Sequence, residues 1–230
     1  KIDLATEKVV GAEALVRWES PELGFMPPDS FVPLFERNNF IVKLDFYVYE
    51  QVFKFIRKCL DNNLPTVPIS VNVSRNHDKP EKFVHDLMSL LKKYAIPPRL
   101  IEVELLERAT LDKNLLREIT IMLQKEGFRV AIDDFGSGYN SLYVLGQIPA
   151  NVIKFDRGFV LHSIHNDIGL TIMKNLVETF KEISFEVLCE GVETKEEEKN
   201  IVECGCDVIQ GYLYDRPLGV QDFEAKYIAC

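Results

Sequence analysis

The sequence predicts an α/β fold whose parallel strands and covering helices close into a (β/α) barrel. Three observations predict it. Apolar strand-like runs alternate with amphipathic helical runs, with a period of about 20 to 35 residues, the pattern of parallel strands joined by helices. Six or seven such units fill one chain of 230 residues, a size at which α/β barrels are single domains. No Gly-x-Gly-x-x-Gly fingerprint follows the first strand, which disfavours an open dinucleotide-binding sheet. With no linker and no low-complexity segment, a single domain over 1–230 is expected.

The elements follow in order. Residues 8 to 18 read as a strand with a charged end, Glu13 and then Arg17 and Trp18. A Pro- and Gly-rich loop runs from Pro21 to Pro28, and residues 29 to 37 form a short helix capped by Asp29 or Ser30. Ile41, Leu44, Val48, Val52, Phe55 and Cys59 recur at spacings of three and four, which predicts a longer helix over 40–60. Strands are expected at 67–73, 100–106, 128–133, 152–155, 185–190 and 207–209. Helices between them are set by Asp78 and Pro80, where Pro falls in the first turn, by Asp112 as a cap, and by the Ile168, Ile172, Leu176, Phe180 stripe of 167–183. A short helix covers about 140–147 and a charged one 195–204.

Composition excludes some functions. The net charge of −9 argues against bulk binding to nucleic acid, which needs a basic surface. It does not argue against a small phosphorylated ligand, because metal ions supply positive charge. No apolar run reaches the roughly 18 to 20 residues of a membrane span, and no signal peptide opens the chain. Five cysteines, Cys59, Cys189, Cys204, Cys206 and Cys230, show no disulfide spacing, so a reducing cytoplasm is expected. Cys204-Gly205-Cys206 lacks the second pair of a zinc site. His162-x-x-His165 resembles a ligand pair but falls at a helix approach, away from the other polar residues.

Those other residues stand at strand ends: Glu13, Asn72, Glu104, Asp133, Lys154, Glu190 and Gln210. In a barrel the C-terminal strand ends share one mouth, where active sites sit. Strand parity supports the convergence. Ser70 and Asn72 oppose Ile69, Val71 and Val73; Glu102 and Glu104 oppose Ile101, Val103 and Leu105; Ala131 and Asp133 oppose Val130 and Ile132. The apolar sets face the helices and the polar sets face inward. After Asp133 comes Asp134, and alternation places the two carboxylates on opposite faces. Gly136 and Gly138 follow and allow a tight loop. So many carboxylates at one mouth repel unless they hold cations, and their hard oxygens suit Mg²⁺ or Mn²⁺. Two ions sharing carboxylates is an arrangement for phosphodiester hydrolysis, with a lysine to hold the attacking water and steady phosphoryl charge.

These residues resemble a known family. Glu13-Ala14-Leu15-Val16-Arg17-Trp18, Ser70-Val71-Asn72-Val73-Ser74, Asp133-Asp134-Phe135-Gly136-Ser137-Gly138-Tyr139-Asn140-Ser141-Leu142, Ile153-Lys154-Phe155-Asp156, Glu190-Gly191-Val192-Glu193 and Gln210-Gly211-Tyr212-Leu213-Tyr214 resemble, in this order, the motifs of the EAL domain, the cyclic-di-GMP-specific phosphodiesterase. The resemblance covers nearly the whole chain. It implies a (β/α)8 TIM-like barrel whose first strand runs antiparallel, and linearisation of cyclic-di-GMP to pGpG with two Mg²⁺ or Mn²⁺ ions. It implies Glu13, Asn72, Glu104 and Asp133 as ligands of one ion, with Asp133 bridging to the second and Asp134 beside it. Lys154 and Glu190 position and activate the water, Gln210 holds that end of the site, and Arg17, Leu15 and Asp156 contact substrate. Glu107 resembles the residue that anchors the 134–142 loop, and that loop with its following helix implies a homodimer contact.

The chain also departs from the family. Leu106 and Arg108 replace small hydroxylated residues around Glu107, which leaves open a receptor that binds the nucleotide without turnover. A further barrel enzyme with another phosphodiester substrate is the third reading. The family's Gln-Pro pair and a preceding helix are missing ahead of Lys1, so a fragment of a longer, multidomain protein is expected.

Overall fold

The computed structural model describes residues 1–106, 113–137 and 148–229. Ten strands appear among them. Eight form one curled sheet: β1 (Ile2–Asp3), β2 (Ala12–Glu13), β5 (Ile69–Val73), β6 (Ile101–Leu106), β7 (Arg129–Phe135), β8 (Val152–Phe155), β9 (Glu186–Glu190) and β10 (Val208–Gln210), in spatial order β1-β10-β9-β8-β7-β6-β5-β2. Every pair from β10 round to β2 is parallel, while β1 runs antiparallel to β10. The two ends of the row meet: Ile2 bridges to Val9 and the Val10 amide donates to the Lys1 carbonyl at 2.9 Å. The antiparallel first strand of the TIM-like barrel is therefore Ile2–Asp3, and the strand that carries Glu13 is parallel.

The segment 8–18 is not one strand. Only Ala12–Glu13 joins the sheet, beside Ile69 and Ser70. Trp18 to Ser20 (β3) instead pairs with Gly24 to Met26 (β4) in a separate hairpin, and Gly24, at φ 70°, supplies the left-handed turn residue. The hairpin therefore occupies most of the expected loop. Helix α1 (Pro28–Arg37) begins one residue early, with Pro27 at the cap and no side-chain cap bond, so neither Asp29 nor Ser30 caps it. Helices α2 (Ile41–Asp61), α3 (Pro80–Lys93), α4 (Lys113–Lys125), α6 (Asp167–Glu182) and α7 (Lys195–Glu203) fall where periodicity places them. Two others, α5 (Arg157–Ile164) and α8 (Val220–Tyr227), are additions. The expected Asp112 cap and the 140–147 helix lie outside the described residues.

Strand parity divides the core in two. The outward residues Val71, Val103, Val130, Ile132, Ile153, Phe155, Val187 and Ile209 are buried with the helix faces in one large cluster. Inside the barrel a second, small cluster joins Ala131, Val152, Leu188 and Val208. These four fill one side of the interior beneath the mouth, as side-chain layers do in such barrels. The other side is polar. Ser70 and Glu102 are buried there, and Arg129 reaches Glu102 Oε2 at 3.2 Å and Glu186 Oε1 at 3.1 Å toward the opposite end.

Candidate active site

Lys154 is the centre of the mouth. It is fully buried, and its Nζ lies 2.7 Å from Glu104 Oε2, 2.7 Å from Glu190 Oε1, 3.0 Å from Asp133 Oδ1 and 3.5 Å from Glu13 Oε2. The β8 register sets this position, since Lys154 pairs with Leu188 two residues below Glu190 and its long side chain rises along the interior. Glu13 continues the ring. Its Oε1 accepts from Asn72 Nδ2 at 3.0 Å and its Oε2 from Gln210 Nε2 at 2.6 Å. All seven strand-end residues thus form one bonded set, the other six around Lys154.

Asp133 and Asp134 do not part to opposite faces. The β7–β8 register shifts between Ile132 and Phe135, and Asp134 sits at φ 59°. This bulge turns the backbone back toward the mouth, and its amide donates to Asp133 Oδ1 at 2.9 Å. Asp tolerates the left-handed region better than most side chains. In consequence Asp133, Asp134 and Glu190 each bring an oxygen within 4.8 Å of the others, the one such acidic, Cys or His group among the described residues.

The electrostatics follow from one ammonium facing four carboxylates out of water. Burial raises Asp133 to about 6, with Glu104 and Glu13 adding to it and Lys154 opposing. Burial raises Glu190 to about 8, again against Lys154 and with help from Asp133 and Glu13. Burial pushes Glu104 the same way, but Lys154 and Lys1 on its two sides overcome it and hold it at about 2. Lys154 is itself disfavoured as a cation by burial, yet the carboxylates keep it well above the ordinary lysine range. The mouth is short of positive charge.

The residues present fit divalent cations. All candidate ligands are carboxylate or amide oxygens, the hard donors that such ions prefer. Gln210 Oε1 is buried with no hydrogen-bond partner, a spare acceptor on the side chain whose Nε2 donates to Glu13.

The remaining predicted residues lie further out. Leu15 is exposed, and Arg17 donates to the Val16 carbonyl at 2.8 Å, also in the open. Asp156 caps α5, accepting from the Gly158 amide at 2.9 Å and the Phe159 amide at 3.3 Å. Glu107 and most of the 134–142 loop lie outside the described residues. His162 is in the last turn of α5 and His165 is its C-cap, so the pair leads directly into α6, whose N-cap is Asn166. Cys189 and Cys206 Sγ atoms are 3.0 Å apart on the helix side of the sheet.

One residue escaped the strand-end reading. Lys1 Nζ donates to Ser70 Oγ, to Glu102 Oε1 at 2.7 Å and to Glu104 Oε1 at 2.9 Å. Burial works against its charge, but Glu104 and Glu102 raise its pKa above the usual value. In an antiparallel strand the starting end, not the finishing end, faces the mouth. Applying the antiparallel expectation to Ile2 would have found it.

A closed, mostly parallel barrel with an acidic ring at one mouth defines the class, a barrel with an acidic group of the kind that can hold a cation. The profile of the EAL domain family matches residues 1–217, and the chain belongs to this family. It is 30% identical over 219 residues to the bifunctional diguanylate cyclase/cyclic di-GMP phosphodiesterase MucR of Pseudomonas aeruginosa, covering 95% of this chain and 32% of that protein. It is 30% identical over 229 residues to the cyclic di-GMP phosphodiesterase RocR of the same organism, covering 97% and 57%. The chain therefore spans less than two thirds of the length of these relatives. Among solved structures, the PaMucR phosphodiesterase in its c-di-GMP complex superposes with a TM-score of 0.88 at 30% identity, covering 96% of this chain and 90% of that one. An EAL domain protein from Listeria monocytogenes EGD-e gives 0.86 at 25% identity, covering 98% and 89%.

Proposed function

We propose that this domain hydrolyses cyclic-di-GMP to linear pGpG with two Mg²⁺ or Mn²⁺ ions. The observation that carries the reading is the ring of four carboxylates closing on Lys154 with too little positive charge. The names of MucR and RocR point to the same substrate. Glu13, Asn72, Glu104 and Asp133 would hold one ion, and Asp133 with Asp134 the second. Bound there, the ions would supply charge stabilisation for the phosphoryl group and a more acidic water.

The chain's own groups do the rest. Lys154 directs the attacking water and steadies charge on the phosphoryl oxygens. Glu190, nearer the opening with its side chain 20% exposed, accepts a proton from that water once positive charge at the mouth offsets the burial that raises it to about 8 and leaves it a carboxylate. Water adds to phosphorus, the bond from phosphorus to the ribose 3′ oxygen breaks, and that oxygen leaves with the proton that Glu190 took from the water, so one water is consumed and the carboxylate is restored. Gln210 keeps Glu13 aimed inward through its Nε2. Arg17 contacts a phosphate, and Leu15 and Asp156 line the approach.

A Glu190→Gln variant is expected to bind cyclic-di-GMP in calorimetry as the parent does and to form pGpG about a hundredfold more slowly or worse. Parent-like turnover would remove the role given to Glu190. The reading includes a homodimer through the stretch that begins at Asp134. Sedimentation velocity should give about twice the chain mass, and a concentration-independent monomer would contradict it. It also places the domain in the cytoplasm. Cys59, Cys189, Cys204 and Cys206 are free thiols, which suits a reducing compartment, and no described helix is long and apolar enough to cross a membrane.

A further inference from the structure

We propose that Lys1 is a positioning residue for Glu104, fixing which carboxylate oxygen that ligand turns toward the cation site; the inference rests on the hydrolase reading. Lys1 precedes β1, which pairs Ile2 with Ile209 in antiparallel register. Continuing that register sets Lys1 beside Gln210, level with the mouth. Its side chain is 6% exposed and runs into the polar half of the barrel.

An ammonium has three donors, and all three of Lys1 are used: on Ser70 Oγ, Glu102 Oε1 and Glu104 Oε1. The head is therefore held in one orientation. Glu104 is gripped at both oxygens, with Oε1 on Lys1 at 2.9 Å and Oε2 on Lys154 at 2.7 Å. With Oε1 committed beneath the mouth, only Oε2 faces the ring of carboxylates. Glu104 is completely buried, so no water is at hand to replace the Lys1 bond.

The plainer role for Lys1 is charge balance for Glu102. Glu102 already has a second cation, Arg129, whose Nε lies 3.2 Å from its other oxygen. Among the described residues Glu104 has no such substitute on its Oε1 side. Partners that orient metal ligands in this way typically contribute ten- to a hundredfold in metal affinity when they are removed, on the order of 1.4 to 2.8 kcal/mol.

The test separates the two roles. Lys1→Met alone leaves buried carboxylates unbalanced and can fail to fold. The double variant Lys1→Met/Glu102→Gln removes one buried charge of each sign, so balance is kept while the grip on Glu104 is lost. Glu102→Gln alone keeps Lys1 on Ser70 and Glu104. Mn²⁺ binding is measured by calorimetry in the full chain, alongside the Mn²⁺ dependence of turnover and KM for cyclic-di-GMP. The double variant is expected to bind Mn²⁺ about ten- to a hundredfold more weakly with KM for the nucleotide close to the parent's, while Glu102→Gln binds as the parent does. Parent-like Mn²⁺ binding by the double variant overturns the positioning role and leaves the hydrolase reading standing. A double variant that does not fold while Glu102→Gln does assigns Lys1 to stability alone and also overturns it. A parent that binds no Mn²⁺ overturns the hydrolase reading and this inference together.

Discussion

Lys154 has four carboxylate neighbours and no contact with solvent. In the metal-free protein it is the cation that lets Glu13, Glu104, Asp133 and Glu190 lie together. Removing one partner of a buried ionic set typically costs about 3–5 kcal/mol, because the remaining charges stay buried. Lys154→Met is therefore expected to lower thermal stability without metal and to recover more than the parent when Mn²⁺ is added, since an ion that binds only the folded state stabilises it. Turnover is expected to stay low in both conditions, because an ion would restore charge but not the group proposed to direct the water. Thermal unfolding with Mn²⁺ and with chelator measures this; an equal Mn²⁺-induced rise in parent and variant would contradict it. The same reasoning explains why the ring was readable at residue level. A carboxylate or lysine on the inward parity of a strand has few stable alternatives to a partner in the barrel. Asp133 and Asp134 depart from alternation because it holds only while the pleat is regular, and the bulge at Ile132 to Phe135 breaks it.

At the scale of elements, each strand end is held in place by its neighbours. On α2, Tyr49 Oη donates to the Asn72 carbonyl at 3.0 Å, and one turn away Asp45 accepts from Ser74 Oγ at 2.6 Å and contacts His77 Nε2 at 2.8 Å. These bonds fix the exit of β5, and so Asn72. The β9 and β10 exits are joined through Val192, whose amide donates to the Gln210 carbonyl at 3.2 Å and whose carbonyl accepts from Leu213 at 2.9 Å. Gly211 permits this approach: a Cβ there would come within 2.1 Å of the Val192 oxygen. Gly211→Ala should shift the β10 exit, weaken the Gln210 bond to Glu13, and cost about 1–3 kcal/mol in denaturant unfolding, with reduced turnover. Unchanged unfolding and kinetics would show that the turn relaxes freely. The long elements were legible because their apolar period extends over several turns or a full strand. The two-residue β2, the β3–β4 hairpin and the eight-residue α5 and α8 are too short for period to identify. Pairing partners far along the chain decide them.

The whole molecule turns one chemical fact, a run of inward-facing acidic side chains, into a shared mouth. The sheet must close for this to happen, and closure depends on β1, whose reversed direction also delivers Lys1 to the interior. The barrel's halves then differ: Ala131, Val152, Leu188 and Val208 keep one side dry, while Lys1, Ser70, Glu102 and Arg129 fill the other with paired charge. The acidic mouth is thus supported from below on both sides. The activity proposed for this mouth is metal-dependent cleavage of cyclic-di-GMP. The most direct measurement is chromatography of that nucleotide after incubation with the chain, with Mg²⁺, with Mn²⁺ and with chelator. Metal-dependent hydrolysis gives pGpG in the two metal incubations and intact nucleotide with chelator. Intact nucleotide under all three conditions, co-eluting with the folded protein, would contradict it and leave a receptor in place of an enzyme.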